Sequence, residues 1–141
     1  MAISFSYMIE GFELKNESNT KRWIGSVIES NGKREGTIAY LFCDDKYILE
    51  ANQRFLDHDT YTDIITFDYV AADLISGDIM ISVERVEDNA KKFGVSMEEE
   101  LNRVIIHGIL HLLGQGDKSE ADAKQMRVRE NEALIMLSSR M

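Results

Sequence analysis

His107 and His111 are two of only three histidines in this chain of 141 residues, and they stand four positions apart. On a helix that spacing is slightly more than one turn, so both imidazoles leave the same face and can converge on one point. Gly114 and Gly116 follow, and then a carboxylate, Asp117. Two imidazoles and a carboxylate returning from a glycine turn make a three-ligand metal site, because catalytic zinc takes three protein ligands and leaves a fourth position open. The competing reading is a pair of core histidines whose ring nitrogens are satisfied by neighbours. If the metal needs three imidazoles, the third must be His58, in the polar stretch LDHDTY. Sequence proximity favours Asp117, six residues past His111 and beyond two glycines that can fold the chain back over the helix end.

The elements that must hold these residues can be read from periodicity and caps. Ser96 with Glu99 three residues later is a helix start signal. Apolar residues then recur at Leu101, Val104, Ile105, Ile109 and Leu112, which predicts a largely buried helix ending at Gly114. Upstream, residues 3–9 alternate as a strand, and Asn19 or Thr20 starts a helix to about Glu29. Residues 36–43 (GTIAYLFC) read as a buried strand, and Asp44 or Asp45 caps a helix to about Phe55. A loop at 56–61, a strand at 62–69, a loop at 71–76 and a strand at 77–83 come next. A helix at 84–93 stops at Gly94, and a last helix runs from Ser119 to about Ser138. The apolar runs 36–43 and 62–67 predict central strands covered on both faces. With strands early and helices late, the expected fold is α+β: one domain over 1–141, a mixed four-stranded sheet packed with about five helices, and the metal site at the end of a buried central helix.

Composition narrows the function classes. A hydrophobic fraction of 44% and a charged fraction of 29% are those of a soluble globular protein. No stretch resembles a membrane span or a signal peptide, and the single cysteine, Cys43, excludes an intramolecular disulfide and fits a reducing cytoplasm. The net charge of −9 argues against a protein that coats nucleic acid through overall positive potential. Lys21–Arg22, Lys33–Arg34, Lys91–Lys92 and the group Lys124, Arg127 and Arg129 remain candidates for a local basic patch.

The H-x-x-x-H spacing is also the core of the zinc peptidase signature, in which a glutamate follows the first histidine as general base. Here that position is Gly108, so such a peptidase would lack its base. Taken together, HGILHLLG with its glycine and aspartate turn, the upstream TDIITF, and GDIMIS followed by a helix resemble the motifs of the YbeY endoribonucleases. The three segments occur in that family's order and cover roughly residues 40 to 133. The resemblance implies a zinc-dependent, single-strand-specific endoribonuclease of 16S rRNA maturation and ribosome quality control, with single-stranded rRNA and the small ribosomal subunit as partners. It places the third metal ligand at Asp117, where the family commonly has histidine; a carboxylate suits zinc, and a two-histidine, one-carboxylate set suits iron as well, with nickel a further possibility. The family often has an arginine proposed to contact phosphate where this chain has Leu56, and Arg54 does not match that position. A metal that acidifies water or polarises a phosphoryl oxygen is the implied chemistry, with water or the RNA's own 2′-hydroxyl attacking. Asp63 either orients a histidine from behind or caps its strand.

Overall fold

The computed structural model describes residues 2–56 and 62–139. The expected loop at 56–61, with His58, lies essentially outside the described residues. Nine elements follow one another: β1 (Ala2–Tyr7), α1 (Glu17–Ser30), β2 (Arg34–Cys43), α2 (Asp45–Leu56), β3 (Ile64–Asp68), β4 (Leu74–Ser82), α3 (Val83–Phe93), α4 (Met97–Leu112) and α5 (Glu120–Ser138). The strand order is β1-β2-β4-β3. β1 and β4 run parallel to β2, and β3 runs antiparallel to β4. This is the α+β fold with a mixed four-stranded sheet and five helices that periodicity predicts.

Three local expectations need correction. Asn16, not Asn19 or Thr20, caps α1, its side chain accepting from the Asn19 amide at 3.1 Å. The stretch 71–76 is not a loop throughout, since β4 already begins at Leu74. Ala71 and Leu74 exchange backbone hydrogen bonds around Ala72, which sits at φ +56. The hairpin is therefore closed without the Asn-Gly or Gly pair that ordinarily marks such turns. Finally, β3 is an edge strand rather than a central one. Its apolar character has another source: Ile65 and Phe67 pack toward α2 on one face, while Ile64 joins the main core on the other.

The main core lies between the sheet and α1, α3, α4 and α5. Alternate residues of β2, Ile38, Tyr40 and Phe42, enter it, as period two demands. Cys43 belongs to the smaller cluster under α2, where burial pushes its thiol up to about 12 and removes it as a nucleophile. α4 is the most enclosed helix; nine of its residues are buried, including Leu101, Val104, Ile105, Ile109 and Leu112. Two buried donors fix its surroundings. The Tyr40 hydroxyl donates to the Ile105 carbonyl at 2.8 Å, locking α4 to β2. The Trp23 indole donates to the Ala133 carbonyl at 2.8 Å, locking α1 to α5. Each satisfies a polar group that would otherwise be buried at a cost.

Gly77 lies where the sheet packs closely against the end of α4. A Cβ there would lie 2.6 Å from the Phe67 carbonyl oxygen and 3.0 Å from Leu112 Cδ2. Backbone cannot yield as a side chain can. Gly77→Ala is therefore expected to destabilise the fold by about 1–3 kcal/mol, the range for inserting a methyl into packed structure. Urea unfolding checks this, and wild-type stability in the variant would show that the sheet and α4 can part to admit the methyl.

Candidate metal centre

α4 begins as its cap predicts, with the Ser96 hydroxyl accepting from the Glu99 amide at 3.0 Å. It ends in a turn that sets the site. Gly114 lies at φ +97, its amide bonds to the His111 carbonyl at 2.9 Å, and the Gln115 amide reaches the Leu110 carbonyl at 2.9 Å. This paired closure is the Schellman arrangement, which needs a left-handed residue after the cap and so favours glycine. The Gln115 side chain then ties the turn down. Its amide donates to the Gly116 and Asp122 carbonyls, and its oxygen accepts from Arg129, which also bonds Asn31. Asp117 is thereby held across from the last turn of α4.

The three expected site residues converge. Nε2 of His107 and Nε2 of His111 each lie 3.4 Å from Asp117 Oδ2. Among the described residues these three side chains form the group whose ligand atoms could hold a metal ion. Metal–nitrogen and metal–oxygen bonds near 2.1 Å place tetrahedral ligands about 3.4 Å apart, so the donor set and its spacing fit a zinc-like ion. The position also suits a cation because the C-terminal end of a helix carries partial negative charge. The His107, His111 and Asp117 side chains are 20%, 30% and 38% exposed, so a ligand from solvent can reach the same point. The site opens into a groove of about 820 Å³.

Gly108 faces away from that groove. Its Cβ position would lie 3.0 Å from Ile79 and 3.1 Å from Ile64, against the sheet. A glutamate there would be driven into the core, so the peptidase's general base is excluded by packing as well as by sequence.

Behind His107 stands Glu130 of α5, which no motif signals. Its Oε2 lies 2.6 Å from His107 Nδ1, and its Oε1 accepts from Arg103 Nη1 at 3.0 Å. Glu130 occupies the buried stripe of α5 that includes Met126, Ala133 and Leu137. A charged residue on such a stripe is the one sequence signal that could have found it. Burial pulls the His107 imidazolium down, but the hydrogen bond and charge of Glu130, then Asp117 and Asp63, outweigh it, and the net shift is upward. Glu130 shifts the opposite way. Burial raises it, yet His107 and Arg103 hold it below the usual carboxylate range. Asp63 does not take the orienting role: both nitrogens of His107 are directed elsewhere, and the Asp63 carboxylate receives Asn89 Nδ2 at 3.4 Å. Burial raises its carboxyl above the usual range.

The candidate basic residues separate clearly. Arg34 forms a two-pronged pair with Asp73, Lys91 meets Glu87, Lys124 meets Glu120, and Arg129 serves the turn. Of that set only Arg127 lines the groove, together with Arg103 and Lys118.

Comparison with known proteins identifies the family. The family model described as Endoribonuclease YbeY matches residues 8–138. The Endoribonuclease YbeY of Flavobacterium johnsoniae is 56% identical over 134 residues, 95% of this chain and 96% of that protein. That of Porphyromonas gingivalis is 59% identical over 116 residues, 82% of this chain and 77% of its own. The solution structure of TM1509 from Thermotoga maritima superposes with a TM-score of 0.68 at 28% identity, over 99% of this chain and 93% of that one. A match that runs through the sheet, α4 and α5 alike leaves one conclusion: the chain belongs to the Endoribonuclease YbeY family.

Proposed function

We propose that residues 1–141 act as one metal-dependent endoribonuclease domain that cuts single-stranded RNA. Its setting is 16S rRNA maturation and ribosome quality control on the small subunit, in the cytoplasm. The observation that carries this reading is the meeting of His107, His111 and Asp117 at an open groove, in a chain of an endoribonuclease family. Zinc is the ion that this donor set suits best, while iron or nickel would also accept two imidazoles and a carboxylate. When bound, such an ion acidifies a water or polarises a phosphoryl oxygen. The chain's own part is to hold three donors at fixed spacing, to keep one side open to RNA and to place cations beside the scissile phosphate. Water or the RNA 2′-hydroxyl supplies the nucleophile. No helix among the described residues is long and apolar enough to cross a membrane.

Charge explains how an acidic protein could take a polyanion. Among the described groove residues Arg103, Lys118 and Arg127 face Asp63, Asp68, Glu100, Asp117 and Glu130, so three cations against five carboxylates leave −2 if all are ionised. A divalent ion cancels that surplus. RNA affinity, and not cleavage alone, should therefore depend on the metal.

His107→Ala and His111→Ala are each expected to abolish tight zinc binding with most of the fold kept. Asp117→Ala should weaken binding at least about tenfold, and Asp117→His should retain it by supplying a third imidazole. Full metal content by plasma mass spectrometry in both histidine variants would remove the site.

Chelation should end RNA cleavage and weaken RNA binding while circular dichroism stays native, because none of His107, His111 and Asp117 belongs to the packed hydrophobic core. Unfolding on chelation would instead mean a structural metal. Efficient peptide hydrolysis without any RNA cleavage would overturn the substrate.

Lys118→Ala should lower RNA affinity evenly across sequences and reduce the slope of log affinity against log salt by about one. An unchanged slope would place Lys118 off the RNA path.

A further inference from the structure

Glu130 makes more contacts than an interhelical ion pair requires. Its side chain is 7% exposed, and its two oxygens are separately committed. Oε1 faces Arg103 Nη1 at 3.0 Å and Arg127 Nη1 at 3.7 Å. Oε2 faces His107 Nδ1 at 2.6 Å. A carboxylate between two guanidinium groups is ionised and can only accept, so in the contact with His107 the ring nitrogen donates. With its proton on Nδ1, a neutral imidazole carries its lone pair on Nε2. That is the atom 3.4 Å from Asp117 Oδ2. The alternative tautomer would put a hydrogen where the lone pair is needed and leave Glu130 facing a second acceptor.

We propose that Glu130 is a positioning residue: its hydrogen bond fixes the tautomer and ring plane of His107, so that Nε2 is offered to a divalent cation shared with His111 and Asp117. Arg103 acts one step further back. It stands four residues before His107 on α4 and holds Oε1, which leaves Oε2 aimed at the imidazole. α5 is thus part of the metal site although it supplies no ligand. The inference rests on the reading of His107, His111 and Asp117 as ligands. The competing role is purely structural, a buried Arg103–Glu130 pair that ties α4 to α5.

Three measurements on the full chain separate these roles. Zinc affinity is read by competition with a chromophoric chelator for wild type, Glu130→Ala and the near-isosteric Glu130→Gln. Thermal unfolding is followed with and without zinc. Nitrogen-15 NMR of the metal-free protein at alkaline pH reports the His107 tautomer. Glu130→Ala is expected to weaken zinc binding on the order of ten- to a hundredfold, the usual effect of removing a partner behind a metal-ligating histidine. Glu130→Gln should lose less, because its amide oxygen can still accept from Nδ1. Wild type should show the Nδ1–H form, and Glu130→Ala a shift toward Nε2–H. The stabilisation conferred by zinc should shrink in step with affinity.

Should Glu130→Ala melt earlier by the same amount with and without zinc, at wild-type affinity and tautomer, the role is structural and the inference fails. If Glu130→Ala does not fold, Glu130→Gln at wild-type affinity with an Nε2–H His107 overturns the inference in the same way. Wild type that takes up no zinc at all would instead sink the ligand reading itself, a result that the variants cannot imitate.

Discussion

The constraint from which the rest follows is the apolar girth of α4. A helix with Leu101, Val104, Ile105, Ile106, Ile109, Leu110 and Leu112 buried has little face to give to water. It must be covered on nearly every side, by the sheet below and by α1, α3 and α5 around it. Hydrophobic burial on this scale contributes about 25 cal/mol for each Å² removed from water, and it fixes the helix more firmly than propensity could. Past its exposed first turn, the positions of α4 left half-open are Asn102, Arg103, His107 and His111, and the last two form a strip toward the C-terminal end. His107 and His111 lie on that strip, so the packing that buries the helix also aims two imidazoles at one groove. Tyr40 adds direction to this non-directional force, since its hydroxyl reaches a single carbonyl of α4.

Much of this was legible in the sequence because it is local. Caps at Ser96 and Ser119, the stop at Gly94, and the helical and strand periods all involve residues a few positions apart. His107, His111 and Asp117 span one helix end and its turn, and the structure brings those three together. What escaped was set by partners distant in the chain, or by local backbone geometry that no residue type announces. β3 reads as central because it is apolar on both faces, but its apolar character comes from α2 and the main core rather than from two flanking strands. β4 starts early because its turn is closed by backbone geometry at Ala72, with no glycine to announce it. Glu130 lies 23 residues from His107, and no short motif spans that separation. Asp63 is instructive because the sequence left two roles open for it. It is close enough to influence His107 electrostatically, yet the hydrogen bond goes to another carboxylate.

The same carboxylates explain a tension built into the site. Glu130, Asp117 and Asp63 together raise the proton affinity of His107 against the effect of burial. A proton and a metal ion are both cations, so groups that attract one attract the other and the two compete for Nε2. Asp117 sharpens that competition. A histidine in its place would add a donor without charge, whereas the carboxylate adds a full negative charge 3.4 Å from both imidazoles. Ligand charge strengthens the hold on a divalent ion and reduces the net positive charge left on it. A water on a less positive ion is less acidic. With a divalent ion held here, affinity and water activation would pull in opposite directions at Asp117, and the cations Lys118 and Arg127 stand where they can return some positive potential to the groove.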